Sequence, residues 1–145
     1  MRQLDEIDRQ LLSLLAANAR RSIAELSREV SLSAPATSER IRRLHERGVI
    51  AAFTIEIAPR ATGKTIEAIV RVKPSTGQQQ AVEQIISNDM RFTSCDRVTG
   101  DDCFIARVQV ADTAELDEVL EALHRRAQTN TAIVKTSLFR GRLPL

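Results

Sequence analysis

Residues 33–48 carry Arg40, Arg42, Arg43 and Arg47 against Glu39 and Glu46, a local charge of +2 that equals the formal charge of the whole chain. Guanidinium forks at this density suit phosphate oxygens, which offer them two acceptors at once. On a helical period, Thr37, Ile41, Leu44 and Gly48 share one side, leaving Pro35, Ser38, Glu39, Arg40, Arg42, Arg43, Glu46 and Arg47 opposite or flanking it. The small residues Ala34, Ala36, Thr37 and Ser38 at the start of this segment allow a close approach to base edges. The pattern predicts contact with double-stranded DNA through Ser33, Ala36, Thr37, Ser38, Glu39, Arg40, Arg42 and Arg43. Arg40, Arg42 and Arg43 are expected on phosphates, with Ser38 and Glu39 nearer the bases, where a carboxylate can accept from a cytosine amino group. Arg20, Arg21 and Arg28 add cations just before it. The competing reading is a helical bundle whose Arg and Glu form an ordinary solvated face.

The other reactive side chains form no catalytic or metal-binding pattern. His45 and His124 lack metal-ligand spacing, and Asp101 and Asp102 are adjacent rather than facing, with no base or nucleophile beside them. No enzyme, metal or cofactor is therefore expected. Cys95 and Cys103 flank a turn at Gly100-Asp101; a two-residue loop there sets Cys95 opposite Ala106 and Cys103 opposite Val98, on opposite faces of a hairpin. That placement disfavours an internal disulfide. Cys103 is then either a small apolar filler or a redox-sensitive thiol.

The elements that must hold these residues follow from the periodicity. Leu4, Ile7, Leu11, Leu14 and Leu15 mark a first helix capped by Asp5, with Asp8 in its first turn. Ser22 opens a short second helix that turns Ile23, Leu26 and Val30 inward; after the tight turn Ser31-Leu32-Ser33, Ser33 caps a third helix that tolerates Pro35 and stops at Gly48. A short turn between two helices is the helix-turn-helix arrangement, whose second helix can enter the major groove. Residues 49–57 are β-prone, and the stretch from Pro59 to Lys64 breaks the pattern. The remainder predicts a strand at 66–73, a helix opened by a Ser75/Gln78 capping box, a hairpin at 92–110, a helix capped by Asp112 and Glu115, and a last strand at 133–139. This is the ferredoxin-like βαββαβ order, so the fold class is α+β, with an N-terminal three-helix helix-turn-helix domain ahead of it. The expected segments are 1–50, a connector and hinge at 51–64, and 65–145. Both helices cover one sheet face, while Ile69, Ile105 and Val134 point to the other, which predicts self-association against the plainer alternative of a partly exposed sheet.

Composition sets the outer limits. Of 145 residues, 43% are hydrophobic and 28% charged, close to the globular average, which argues against disorder. Apolar runs are too short to span a bilayer, the acids after Arg2 do not suit a signal peptide, and two cysteines fit a reducing compartment, so a cytoplasmic protein with no membrane contact is expected. Lys64, Lys73 and Lys135 are the only lysines among 21 basic residues. That arginine bias suits phosphate recognition, and a GC-rich genome produces it equally well.

Several short motifs carry a resemblance. Leu4-Asp5-x-x-Asp8, Ala24-Glu25-Leu26, Leu32-Ser33, Arg40-Ile41-x-Arg43-Leu44 and Gly48-Val49-Ile50 resemble the helix-turn-helix half of the Lrp/AsnC regulators. Val98-Thr99-Gly100-Asp101 resembles the turn in that family's effector-binding (RAM) domain, and the likeness runs in order along essentially the whole chain. The resemblance implies a prokaryotic feast/famine transcription regulator. Such a regulator forms a homodimer through its C-terminal sheets, assembles further into tetramers, octamers or higher forms, and responds to an amino acid. Residues 49–57 become a connector strand that pairs with the dimer partner. The effector residues it implies are Thr99, Gly100, Asp101 and Asp102, with Thr136 on the last strand. An acidic side chain suits an α-ammonium group, and backbone amides near Gly100 suit a carboxylate. Taken alone, Gly-Asp is also ordinary hairpin-turn chemistry. Thr37 stands where many members have an aliphatic residue and Glu39 where they often have a basic one, which implies an altered operator preference. Asp102 replaces an aromatic residue and Cys103 an aspartate, which leaves open a changed ligand or none.

The function expected is a sequence-specific DNA-binding transcriptional regulator whose oligomeric state or operator affinity responds to a small molecule, an amino acid by the resemblance. Two alternatives remain: an effector-independent nucleoid-architectural protein that bridges DNA, and an amino-acid-sensing module that acts through protein contacts.

Overall fold

The computed structural model describes residues 3–139, so the outer ends of the expected segments, residues 1–2 and 140–145, lie outside the described residues. The chain divides into two compact units, one running to Glu56 and including Phe139, the other Ile57–Leu138.

The first unit holds α1 (Glu6–Ala17), α2 (Ile23–Glu29) and α3 (Ala34–Glu46). Each start is chemically marked. Asp5 accepts from the Asp8 amide while Asp8 reaches back to Asp5, and Ser22 and Glu25 form the same reciprocal box on α2. Ser33 accepts from the Ala36 amide, with Pro35 in the first turn of α3, where its missing N–H costs nothing. Leu11, Leu15, Leu26 and Val30 form the core, with Ile7, Ile41 and Ile50 packed against it. The turn between α2 and α3 places Ser31 at φ 53°, left-handed backbone more often given to glycine, and the Leu32 amide closes the end of α2 on the Ser27 carbonyl. Gly48, at φ 69°, makes the equivalent stop for α3: its amide bonds to His45 and the next one to Leu44.

That stop explains one departure from expectation. Residues 49–57 hold no strand. The Val49 and Ile50 amides are taken by the Leu44 carbonyl, and among the described residues no neighbouring strand meets the rest of the run. Phe53, Ile55 and Ile57 are left exposed at alternate positions.

In the second unit a short 3-10 turn, Pro59–Thr62, precedes β1 (Ile66–Pro74), α4 (Gln79–Asn88), β2 (Phe92–Arg97), β3 (Phe104–Val110), α5 (Thr113–His124) and β4 (Ala127–Ile133). The antiparallel sheet has the order β2-β3-β1-β4, the ferredoxin-like arrangement. Ala68, Val70 and Val72 of β1 and Phe104, Val108 and Val110 of β3 are buried with Val82 and Ile86 of α4 and Leu116, Val119 and Leu123 of α5.

Two boundaries differ from the sequence reading. Ser75 does not cap α4: Gly77 at φ 77° turns the chain once more, and Gln78 takes the cap position without a side-chain bond. The last strand is β4, six residues earlier than expected. It pairs with β1 from Pro74↔Ala127 to Ala68↔Ile133, directly after α5. Its sequence, Ala-Gln-Thr-Asn-Thr-Ala-Ile, is largely polar because it lies at a sheet edge with only one side near the core. The second sheet face is more mixed than expected. Ile69, Ile105 and Val134 are half-buried there, with an Arg107–Glu67 ion pair and Arg71 among them. Among the described residues, no helix is long and apolar enough to cross a membrane.

Candidate nucleic-acid interface

The caps at both ends of α3 fix which side chains it presents. Ser33, Ala36 and Ser38 are exposed, as are Arg42 and Arg43, while Glu39 and Arg40 are partly covered. Thr37 is corrected by its environment: it is fully buried, and its hydroxyl donates to the Ser33 carbonyl at 3.0 Å. It packs the helix against the bundle and does not face a duplex. Thr37→Val, which keeps the shape and loses the hydroxyl, is expected to lower stability by about 1 kcal/mol while leaving duplex affinity within twofold. Parallel chemical melts and binding titrations check both outcomes.

Arg40 also has a different place from the one expected. Its Nη1 donates to Asp5 Oδ2 at 2.7 Å and to Asp8 Oδ1 at 2.8 Å, and the Asp8 side chain is only 8% exposed. The Asp8 amide, then the Arg40 guanidinium, hold the Asp5 carboxyl below its ordinary range. Asp5 in turn, followed by Asp8, pushes Arg40 up. Arg40 is thus tied to the start of α1 rather than held out as a phosphate clamp. The sequence shows Asp5 and Asp8 as cap residues, but it does not show that the fold brings them to Arg40.

Arg42 and Arg43 stand out from the helix, their side chains 56% and 63% exposed. Arg42 forks onto Glu39, with Nε on one carboxylate oxygen at 2.8 Å and Nη2 on the other at 2.7 Å. Arg43 Nε donates to the second of these oxygens at 2.8 Å, and Arg42 also pairs with Glu46. Hydrogen bonds from Arg42, then from Arg43, bring the Glu39 carboxyl down to about 2. An open groove of about 600 Å³ runs beside this row, lined by Asp5, Asp8, Ala36, Glu39, Arg40 and Arg43. Counting the acids that folding brings in, the basic row is largely self-neutralised.

The hairpin turn of the second unit follows the expected register. Cys95 pairs with Ala106, and the Val98 amide bonds to the Cys103 carbonyl at 3.0 Å. Both thiols are free, and burial pushes that of Cys95 up. Thr99, Gly100 and Asp101 are exposed and Asp102 half-buried, with Gly100 at φ 114°. The Cys103 amide anchors the turn to the Val72 carbonyl. Thr136 is not brought to it. That residue lies beyond β4, whose Ile133 pairs with Ala68, whereas the turn sits at the Val72 end of β1. One copy of the chain therefore holds the two at opposite ends of its sheet. Among the described residues, no group of three or more His, Cys, Asp or Glu side chains is placed to hold a metal ion.

Comparison with known proteins bears on both units. An AsnC-type helix-turn-helix domain matches residues 4–45, and a Lrp/AsnC ligand binding domain matches residues 67–144. The HTH-type transcriptional regulator LrpA of Mycobacterium tuberculosis is 32% identical over 129 residues, 88% of this chain and 86% of that protein. The structure of B. subtilis LrpC superposes with a TM-score of 0.89 at 24% identity, over 97% of this chain and 100% of that one, a likeness of fold. A feast or famine regulatory protein from M. tuberculosis, complexed with L-methionine, superposes with a TM-score of 0.88 at 29% identity, over 98% of this chain and 100% of that one.

Proposed function

The chain belongs to the Lrp/AsnC family of DNA-binding transcriptional regulators, and from that premise we propose that α3 lays its exposed side on a double-stranded operator in a sequence-specific complex. It is a regulator and not an enzyme. One observation carries the reading: the second helix of a helix-turn-helix leaves Ser33, Ala36, Ser38, Arg42 and Arg43 exposed and Glu39 half-exposed, with Arg40 beside them tying the helix to Asp5 and Asp8. Arg42 and Arg43 serve phosphates, and the smaller residues near the start of α3 sit closest to the bases. A DNA partner makes the cytoplasm the working compartment.

The second part of the proposal is an amino acid as effector, held at Thr99, Gly100, Asp101 and Asp102. The related M. tuberculosis protein complexed with L-methionine supports that class of ligand. Self-association supplies the rest of the site. The mixed sheet face and the exposed Phe53, Ile55 and Ile57 are surfaces a second copy can cover, and Thr136 reaches an effector turn only from another copy. A ligand that prefers one assembly then changes which half-sites are engaged together.

Thermal-shift screening against the amino acids, L-methionine included, tests the effector. A ligand at 100 times its Kd stabilises by about 2.7 kcal/mol, which corresponds to a rise in Tm of roughly 5–10 °C for a chain of this size. Asp101→Asn with Asp102→Asn should abolish that rise. A flat screen with unchanged size-exclusion profiles points instead to effector-independent DNA architecture. Ligand binding without duplex binding points to sensing through protein contacts.

A further inference from the structure

Among the described residues, Glu39 is the carboxylate that engages both Arg42 and Arg43 on the outward side of α3. Its place at i relative to Arg42 (i+3) and Arg43 (i+4) puts all three groups on one side of the helix. The geometry resembles the one these arginines would give a nucleic-acid phosphate, with two anionic oxygens, a fork from one guanidinium and a single bond from the next. Arg40, the third arginine of this helix expected on phosphate, is already held by Asp5 and Asp8. An incoming phosphate therefore meets Arg42 with its Nε and Nη2 on Glu39 and its Nη1 on Glu46, Arg43 with its Nε on Glu39, and a negative charge between them.

We propose that Glu39 is a built-in stand-in for phosphate, which withholds Arg42 and Arg43 from duplexes and keeps sequence-independent affinity low. The proposal rests on the reading that α3 meets DNA. Glu39 stays charged throughout the physiological range, since the two arginines hold its carboxyl near 2, so the competition does not lapse at neutral pH. Exposed ion pairs are weak in water and exchange partners readily. Glu39 thus acts as a competitor that DNA displaces at a cost, and not as a permanent block. A base-reading role for Glu39 makes the opposite forecast, since removing a reader weakens one sequence and spares the others.

The test is fluorescence anisotropy of the full chain on several unrelated duplexes, each at a series of salt concentrations. Glu39→Gln keeps the shape and removes the charge, and Glu39→Ala, a better helix former, is the second variant. Both should bind every duplex about five- to tenfold more tightly near 100 mM salt and raise the slope of log affinity against log salt by about one per protomer. In the Arg42→Ala/Arg43→Ala background the gain should shrink to within twofold, as coupling through those two residues requires. Glu121→Gln, on the exposed side of α5, controls for net charge and should change nothing. Unchanged or weaker binding by both Glu39 variants, with the wild type binding duplex, overturns the proposal and leaves the DNA reading standing. Absence of duplex binding by the wild type and by both variants overturns the two together. A gain that survives in the double-alanine background also overturns it.

Discussion

Replacing Arg42 and Arg43 together by Ala is expected to weaken duplex binding about 10-fold near 100 mM salt and to lower the salt slope by about one per protomer. Each arginine that neutralises a phosphate releases a condensed counterion, and competition from Glu39 holds the pair to about half of its two releases in the wild type. The pair is also the right place to cut, because both side chains are more than half exposed and neither holds the bundle together. Anisotropy titrations from 50 to 300 mM salt measure both quantities. An unchanged slope would take these residues off the DNA.

Arg40→Ala should give the opposite signature. Its cost falls on folding: the helical unit is expected to lose about 2–3 kcal/mol, lowering its Tm by roughly 10 °C or more. The figure is below that of a fully buried pair because Arg40 is about one-third exposed and Asp5 about half, while the Asp8 carboxylate would be left buried without its cation. The salt slope of duplex binding by the folded fraction should stay within experimental scatter of the wild type. The same tie gives an acid signature. Asp5 has a folded pKa below its ordinary 3.8, so its contribution is complete above 3.8 and is lost as pH falls through the lower folded value. Part of that loss should disappear in Arg40→Ala, leaving the share that comes from the Asp8 amide. Circular-dichroism melts across this pH range read both effects, and a Tm within 2 °C of wild type would contradict the assignment.

The contrast between Arg40 and its neighbours shows what sequence can and cannot reveal here. Caps and stops are local, and those at Asp5, Ser22, Ser33 and Gly48 are legible from a few adjacent residues. The hairpin pairing of Cys95 with Ala106 follows from the turn at Gly100-Asp101 for the same reason. The partners of Arg40 lie more than thirty residues away, and no helical wheel of α3 contains them. Thr37 counts among the small residues that suit a close approach to bases, but it shares the side of Ile41 and Leu44, and an i−4 bond to the Ser33 carbonyl satisfies its hydroxyl inside the bundle. β4 lies earlier than its sequence suggests because an edge strand need not alternate, while Ile133, Val134, Leu138 and Phe139 supply the apolar residues of the stretch at 133–139. With that shift Thr136 left the strand and moved away from the effector turn. Residues 49–57 have strand propensity, but among the described residues no hydrogen-bonded neighbour meets them.

Site-specific photocrosslinking reads most directly whether the exposed side of α3 meets duplex. A photoreactive side chain at Ser38 on α3, and separately at Glu121 on α5, is irradiated with labelled duplex bound. Crosslinks from position 38, suppressed by unlabelled duplex and absent from position 121, are the predicted result. Crosslinks from position 121 alone, or none from position 38 under conditions where anisotropy shows binding, would contradict it.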